Sequence, residues 1–188
     1  TLLLDSPGIP GLSNSSVSIG DYDNDGDEDL LVSGSAGLEF ITRLYRNDNG
    51  SVNAALGFEG VRNGSTAFGD YNHDGFLDIL LTGEDEGGEP FALLYLNNTD
   101  DTFTLDLINS PVFTGLRASQ AAFGDFDRDG NNTLDIIMMG SRSAGSFLTL
   151  YKNSTTQPNL QPTAPTGLSS QQQGNIITLS WERPTGGT

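Results

Sequence analysis

Three short segments of this chain place acidic and amide side chains at alternating positions around a glycine. They read DYDNDGDED over residues 21–29, DYNHDGFLD over residues 70–78, and DFDRDG from residue 125, followed by an aspartate at 135. Counted from the first residue of each segment, oxygen-bearing side chains stand at loop positions 1, 3, 5 and 9 and glycine at position 6 in the first two segments. A loop with this spacing can surround a hard cation such as Ca²⁺ with oxygen ligands.

Each segment offers side-chain oxygens and one main-chain carbonyl as ligands. Position 7 is assigned to the main chain because Phe76, which occupies it in the second segment, has no side-chain oxygen. Two extra residues displace the last aspartate of the third segment, so its carbonyl comes from Asn131 or a neighbour. The predicted ligands are Asp21, Asp23, Asp25, Asp27 (carbonyl), Asp29, Asp70, Asn72, Asp74, Phe76 (carbonyl), Asp78, Asp125, Asp127, Asp129, Asn131 (carbonyl) and Asp135.

The charge of the chain is concentrated in these segments. Its net charge is -17, and 13 of its 25 acidic residues lie inside the three loops. Several carboxylates in one short loop repel each other, so we expect about three Ca²⁺ ions, one per loop. The alternative is a set of Asx turns capped by solvated aspartates. An EF-hand is excluded because position 12 is Val32 or Leu81, inside an apolar run, where that motif needs a carboxylate.

Composition excludes several other classes of protein. Only eight lysines and arginines are present, scattered along the chain, so a nucleic-acid-binding surface is not expected. No apolar run reaches the roughly 18 residues of a membrane-spanning helix. The chain has no cysteine, which excludes disulfides and thiolate metal sites.

The loops recur within longer repeats that predict the strands positioning them. Each loop follows a short strand-like run and precedes an apolar run that ends in glycine, such as residues 30–34 and 79–83. A third strand ends in Leu-Tyr-x-Asn, and a fourth is predicted around Asn53–Phe58 and again around Thr102–Ile108. Four antiparallel strands per repeat, at a spacing of about 50 residues, predict an all-β protein made of β-propeller blades.

The three predicted blades form an incomplete ring. Thr1–Pro7 aligns without a gap to Leu105–Pro111, so the chain is expected to begin with a fourth strand. The third repeat ends its third strand at Asn153 and runs into proline-containing sequence without a fourth strand. Because three blades do not close easily, we expect head-to-tail pairing with a second copy, or with sequence outside this chain, to give six or more blades.

The loops, the apolar strands that follow them and the Leu-Tyr-x-Asn strand resemble the FG-GAP/VCBS repeats of calcium-binding β-propellers. Such repeats occur in integrin α-subunit heads and in many bacterial surface and secreted proteins. The resemblance covers residues 1 to about 153, within a predicted propeller unit of residues 1–157. It implies a secreted or cell-surface protein, with a bacterial source favoured, that binds calcium.

Residues 158–188 differ in character from the repeats. A Pro-Thr-rich stretch is followed by Ile176–Pro184, which contains Trp181, and together they resemble the first two strands of a fibronectin type III domain. In that resemblance Trp181 corresponds to the core tryptophan of the family. The alternative is a proline- and glutamine-rich linker with one strand-like run.

The expected function is noncatalytic binding of an extracellular protein or a glycan, as in adhesion. Each clustered acid is already assigned as a cation ligand, and the only histidine, His73, stands at loop position 4, where we expect its side chain to point to solvent. Two alternatives remain: a propeller of a polysaccharide-degrading enzyme, because some polysaccharide lyases resemble this fold, and a purely structural spacer module. Fold alone does not decide between them.

Overall fold

The computed structural model describes residues 8–128, 133–154, 166–173 and 176–182. Its strands are β1 (Ser13–Gly20), β2 (Asp29–Ala36), β3 (Glu39–Asp48), β4 (Ser51–Phe58), β5 (Arg62–Gly69), β6 (Asp78–Glu84), β7 (Pro90–Asn97), β8 (Phe103–Leu105), β9 (Arg117–Gly124), β10 (Asp135–Arg142), β11 (Gly145–Tyr151), β12 (Thr166–Gln173) and β13 (Ile176–Glu182). The predicted strand at residues 1–7, the predicted ligands Asp129 and Asn131, and the segment 158–165 lie outside these ranges.

The prediction of an all-β protein built from four-stranded antiparallel sheets is confirmed. Sheet 1 has the strand order β1-β2-β3-β4, sheet 2 has β5-β6-β7-β8, and sheet 3 has β9-β10-β11. Sheet 3 therefore contains three strands among the residues that the structure describes. A separate antiparallel hairpin, β12-β13, follows. Within the described ranges, no helix combines the length and the apolar character that a membrane span requires.

The fourth strand of sheet 2 is shorter than the sequence indicates. The prediction of a strand over residues 102–108 was wrong beyond Leu105, where β8 ends. The cause is a local turn around Asp106, whose carboxylate accepts the N–H groups of Ile108 at 2.8 Å and Asn109 at 3.0 Å. A 3-10 turn over Ser110–Val112 follows. The Asp106 side chain thus offers the backbone a local alternative to strand pairing.

The three sheets stack face to face, with their first strands side by side. Strand β1 contacts β5, and β5 contacts β9. We call the face of a sheet that points toward the next sheet along the chain its front, and the opposite face its back. The front of sheet 1 carries Leu31 and Leu44, which pack against Ile79 on the back of sheet 2. All three side chains are fully buried, so this interface is a hydrophobic core.

The interface between sheets 2 and 3 repeats this arrangement. Leu80 and Leu94 on the front of sheet 2 pack against Ile136 on the back of sheet 3, and all three are fully buried. Polar bonds repeat as well. The Ser16 hydroxyl accepts the N–H of Thr66 at 3.1 Å, and the Ser65 hydroxyl, one repeat later, accepts the N–H of Ala121 at 2.8 Å. The sequence repeat is therefore also a repeat of inter-sheet contacts.

A glycine just before each loop lets adjacent sheets approach closely. A Cβ added to Gly69 would lie 2.5 Å from Cγ and 2.8 Å from Cβ of Phe123, on the back of sheet 3. Gly20, at the same position in sheet 1, stands against Phe68 of sheet 2, where a Cβ would lie 3.1 Å from the ring. Gly124 occupies this position in sheet 3, and a Cβ there would meet no atom within 4 Å in the described part of the chain.

Two apolar faces are left open at the ends of the stack. The front of sheet 3 exposes Leu148 and Leu150 to 66% and 39%, at positions where sheet 2 has the buried Ala92 and Leu94. The back of sheet 1 exposes Val17 to 61% and Ile19 to 66% on its first strand, whereas Val32 and Tyr45 on the same face are buried. Burying such side chains is favourable by about 1.5–3 kcal/mol each, so these open faces are unusual on a protein surface.

Candidate metal centre

Each acidic loop joins the first and second strands of its sheet, and strand pairing fixes its two ends. Gly20 pairs with Asp29, Gly69 with Asp78, and Gly124 with Asp135. The residues at loop position 4, Asn24, His73 and Arg128, have φ angles of 60°, 61° and 49°. Gly26 and Gly75 at position 6 have φ angles of 98° and 88°, which glycine adopts without steric cost. The described parts of the three loops thus have the same backbone conformation.

This backbone conformation brings predicted ligands together in the first and third loops. Carboxylate oxygens of Asp21, Asp23 and Asp29 all lie within 4.8 Å of one another. The same holds for Asp125, Asp127 and Asp135. In the second loop position 3 is Asn72, whose amide donates to Asp74 Oδ2 at 2.8 Å, so this loop has one carboxylate fewer. The structure therefore places three predicted ligands close together in each of these two loops.

The carboxylates at position 1 organise the loop backbone. Asp21 accepts the N–H of Asp25 at 3.1 Å on Oδ1 and the N–H of Gly26 at 3.0 Å on Oδ2. Asp70 makes the same pair of bonds in the second loop, both at 3.0 Å. A carboxylate oxygen has two lone pairs, so each of these oxygens can accept an N–H and still ligate a cation.

The other predicted ligands of these two loops accept local N–H groups as well. Asp23 and Asp25 accept the N–H groups two residues after them, and Asn72 and Asp74 do the same in the second loop. At position 7, the Asp27 side chain turns away to accept the N–H of Asn49 at 2.6 Å. The Asp27 side chain therefore does not join the acidic triad, as expected if only its carbonyl serves.

The aspartates at the end of each loop act as buried clamps, which the sequence analysis did not anticipate. Both oxygens of Asp78 accept backbone N–H groups, from Asn97 at 2.9 Å on Oδ1 and from Tyr71 at 2.9 Å on Oδ2. The corresponding bonds to Asp29 are 2.9 and 3.1 Å, and those to Asp135 are 2.9 and 3.1 Å. The three carboxylates are at most 2% exposed. Each one ties its loop to the end of the third strand of the same sheet.

The asparagine of the Leu-Tyr-x-Asn strand extends this network to the neighbouring sheet. The Asn97 amide donates to the carbonyl of Tyr22 in the first loop at 2.9 Å, and the Asn153 amide donates to the carbonyl of Tyr71 in the second loop at 2.8 Å. Both asparagines are buried. The sequence carries a signal for this role, since the asparagine recurs in all three repeats, but the repeat by itself indicates only a strand end.

Burial makes it costly to keep these carboxylates charged without a cation. Desolvation raises the pKa of Asp78 to about 7, although the N–H groups of Asn97, Tyr71 and Asn72 oppose the shift. Desolvation also raises the pKa of Asp23 and of Asp29 above their ordinary values, again against the backbone bonds that they accept. A divalent cation would oppose these shifts by favouring the ionised forms.

One carboxylate oxygen of the first loop has no hydrogen-bond donor among the described residues. Oδ2 of Asp23 is buried and accepts no hydrogen bond from them, and the side chain is only 3% exposed. Nε of Arg46 lies 3.0 Å away and forms an ion pair with it, but its N–H is directed to Asp48 Oδ1 at 2.9 Å. An unsatisfied, buried carboxylate oxygen among other carboxylates fits a cation site, so the residues present suit Ca²⁺.

The environment of His73 differs from the expectation. Its side chain is only partly exposed, and Nε2 is buried without a hydrogen-bond partner among the described residues. The prediction that this side chain points to solvent was therefore wrong. Loop position 4 lies beside the next loop, as the bond from the Asn24 amide to the Gly75 carbonyl at 2.9 Å shows for the first loop.

Comparison with protein families gives one match to this chain. The model of the FG-GAP-like repeat matches residues 21–81 and again residues 70–138. Together the two matches span residues 21–138, which is more than half of the 188 residues and includes all three acidic loops. A search of curated proteins found none that matches the chain.

Proposed function

Because the chain belongs to the FG-GAP-like repeat family, we propose that it is a noncatalytic β-propeller segment whose loops bind Ca²⁺, in a secreted or cell-surface protein. One observation carries the metal assignment: carboxylate oxygens of Asp21, Asp23 and Asp29 lie within 4.8 Å of one another, and the buried Asp23 Oδ2 has no hydrogen-bond donor in the described part of the chain. Two carboxylates about 4 Å apart repel by roughly 1 kcal/mol in water and about 4 kcal/mol near a protein surface. A cation removes this repulsion.

The role of the ion in this proposal is structural. Asp21, Asp23, Asp25 and Asp29, with the Asp27 carbonyl, would hold it in the first loop, and the corresponding residues would do so in the others. Calcium supplies a charge that fixes the turn between the first and second strands, and the buried aspartate clamps keep this turn attached to the sheet. The surface of such a rigid stack would bind an extracellular protein or a glycan. Binding to glycan and matrix-protein arrays, measured with and without Ca²⁺, tests this part of the proposal.

Calcium is expected to raise the melting temperature of the chain. Saturating one site at about 100 times its dissociation constant stabilises the fold by about 2.7 kcal/mol, which corresponds to roughly 5–10 °C for a chain of this length. Differential scanning calorimetry in EDTA, in Ca²⁺ and in equimolar Mg²⁺ measures the shift, and Asp21→Asn should reduce it. Glu86→Gln, which neutralises an exposed carboxylate outside the ligand set and away from Arg46, is the matched control. A melting temperature that Ca²⁺ raises no more than Mg²⁺ contradicts the proposal.

We also propose that the two open faces bind each other in a second copy of the chain. The front of one sheet already packs on the back of the next at two interfaces within the chain. Ile19 on the open back stands where Phe68 and Phe123 stand in sheets 2 and 3. Phe68 packs closely against Gly20, and Phe123 packs closely against Gly69. Sheet 3 has a glycine at the same position, Gly124, although nothing in the described chain packs against it. Head-to-tail pairing of two copies would use this glycine.

The expected mass in solution is therefore twice the 19.9 kDa of one chain. Gly124→Leu should give the monomer while retaining a folded circular dichroism spectrum, because its side chain has space within the chain but would block Ile19 of the second copy. Leu38→Asp serves as the control, because Leu38 is 97% exposed and lies on neither open face. Multi-angle light scattering of all three proteins decides. A wild-type mass of one chain at about 100 μM rejects the pairing of two copies, since an interface of this kind is expected to bind more tightly.

The hairpin β12-β13 is consistent with the start of a second domain. Its strands pair in the antiparallel sense, as the first two strands of a fibronectin type III domain would. Leu168, Ile176 and Leu179 on the hairpin are 64–73% exposed. We propose that this hairpin belongs to a fibronectin type III-like unit, and that proposal is separate from the calcium sites.

A further inference from the structure

We propose that Arg46 and Lys152 are internal counter-ions that occupy the first and third loops in the ion-free protein and that Ca²⁺ must displace. The inference rests on the proposed calcium binding and adds a determinant of the affinity of each loop. It follows from two ion pairs and from the residues that replace them in the second repeat.

The two basic side chains reach into the loops from equivalent places. Each follows the tyrosine of the Leu-Tyr-x-Asn strand and leads into the asparagine that the buried clamp holds. Arg46 Nε lies 3.0 Å from Asp23 Oδ2, and its Nη2 lies 3.1 Å from Asp25 Oδ2. Lys152 Nζ lies 2.6 Å from Asp127 Oδ2. Asp23 and Asp127 both stand at loop position 3, so the basic group pairs with the same predicted ligand in both loops.

The second repeat lacks both partners of this ion pair. The residue between tyrosine and asparagine is Leu96, which packs against the core between sheets 2 and 3, and loop position 3 is Asn72. At these two positions the first repeat has aspartate and arginine, and the third has aspartate and lysine. The second repeat has asparagine and leucine instead. Counting carboxylates at positions 1, 3, 5 and the last ligand position together with the basic residue, every loop has a formal charge of -3.

Arg46 is placed so that it can leave the loop and still keep acidic partners. Its side chain is 32% exposed, and the same guanidinium also pairs with Asp48 at 2.9 Å and Asp101 at 3.2 Å. Both of those aspartates lie outside the ligand set and are more than half exposed. When a cation takes Asp23 and Asp25, the guanidinium therefore retains acidic partners at the surface. Arg46 thus supplies one positive charge to the ion-free loop, and this charge moves away when Ca²⁺ binds.

The charge of Arg46 should weaken calcium binding in the first loop alone. A positive charge beside a divalent ion opposes its binding, so Arg46→Leu, which installs the second repeat's residue, should tighten that site roughly tenfold. Arg43→Leu removes the same charge from the same strand, where no ion pair with the loop is formed among the described residues, and should leave the site within about twofold.

A calcium titration followed by ¹H–¹⁵N NMR reads each loop separately. The amides of Gly26 and Gly75, which donate to Asp21 and Asp70, report the first and second loops. With Arg46→Leu the Gly26 midpoint should move to about tenfold lower Ca²⁺ while the Gly75 midpoint stays fixed. The Arg46 Nε–Hε signal of the wild type should shift along the same curve as Gly26, because the guanidinium leaves Asp23.

The outcomes separate the two proposals. If neither glycine amide responds to Ca²⁺, the proposed calcium binding fails. If both respond but Arg46→Leu leaves the Gly26 midpoint unchanged, or moves both midpoints equally, calcium binding stands and the counter-ion role is rejected. The reciprocal variant Leu96→Arg should weaken only the Gly75 transition, and an unchanged midpoint there would also count against the inference.

Discussion

Asp78→Ala is expected to destabilise the ion-free protein by roughly 3–5 kcal/mol, because it removes the acceptor of three backbone N–H groups inside the core. The carboxylate is fully buried and accepts the N–H groups of Asn97 and Tyr71 at 2.9 Å and of Asn72 at 3.3 Å. Each buried donor left without a partner costs about 1–3 kcal/mol, and the relief of a buried charge offsets part of the sum.

Urea denaturation in EDTA at about pH 8, above the raised pKa of Asp78, measures this effect on the ionised carboxylate. Asp70→Ala is the matched control, since it removes another predicted ligand of the same loop whose bonds stay within the loop. Both variants should lose calcium binding at this site, but Asp70→Ala should cost the ion-free protein only about 1 kcal/mol. Should Asp78→Ala be too unstable to purify, Asp78→Asn keeps the shape and should still cost more than Asp70→Ala. Equal losses for the Asp70 and Asp78 variants would show that Asp78 is not a clamp.

Gly69→Ala is expected to destabilise the chain by about 1–3 kcal/mol, since the added methyl group overpacks the interface between sheets 2 and 3. It would lie 2.5 Å from Cγ and 2.8 Å from Cβ of Phe123, so rotation of the ring cannot relieve the contact and the sheets must separate. The free energy of unfolding from urea titrations measures the loss.

Gly124→Ala is the control, because a Cβ there meets nothing within 4 Å in the described chain. It should be neutral or stabilise the isolated chain by up to about 1 kcal/mol, as alanine restricts the unfolded state more than glycine does. A loss at position 124 equal to that at position 69 would mean that another surface already covers the front of sheet 3.

The repeated units of this fold could be predicted from sequence because each is specified locally. Apolar runs such as residues 79–83 are buried on both faces, as expected for strands between two layers, and loop glycines have the positive φ angles that their turns require. The end of β8 could not be foreseen because the Asp106 carboxylate competes with strand pairing through bonds that depend on the three-dimensional turn.

The candidate ligands could also be predicted from the sequence, whereas the different structural roles of the individual aspartates could not. Spacing predicts Asp29, Asp78 and Asp135 as ligands, but their burial and their bonds to the third strand follow from the sheet that surrounds them. Arg46 and Lys152 were missed for a different reason. Their distance in sequence from the loops hides a pairing that strand β3 or β11 creates in space.

The bonds from Asn97 to the Tyr22 carbonyl and from Asn153 to the Tyr71 carbonyl join each sheet to the loop before it. The turn of one sheet is therefore also an anchor for the sheet that follows. The stability of such an array is a sum of unit and nearest-neighbour energies, so loosening the first turn should weaken the attachment of the second sheet, and loosening the second turn should weaken that of the third. Resistance to proteolysis would then depend on neighbouring turns together and not on any single one.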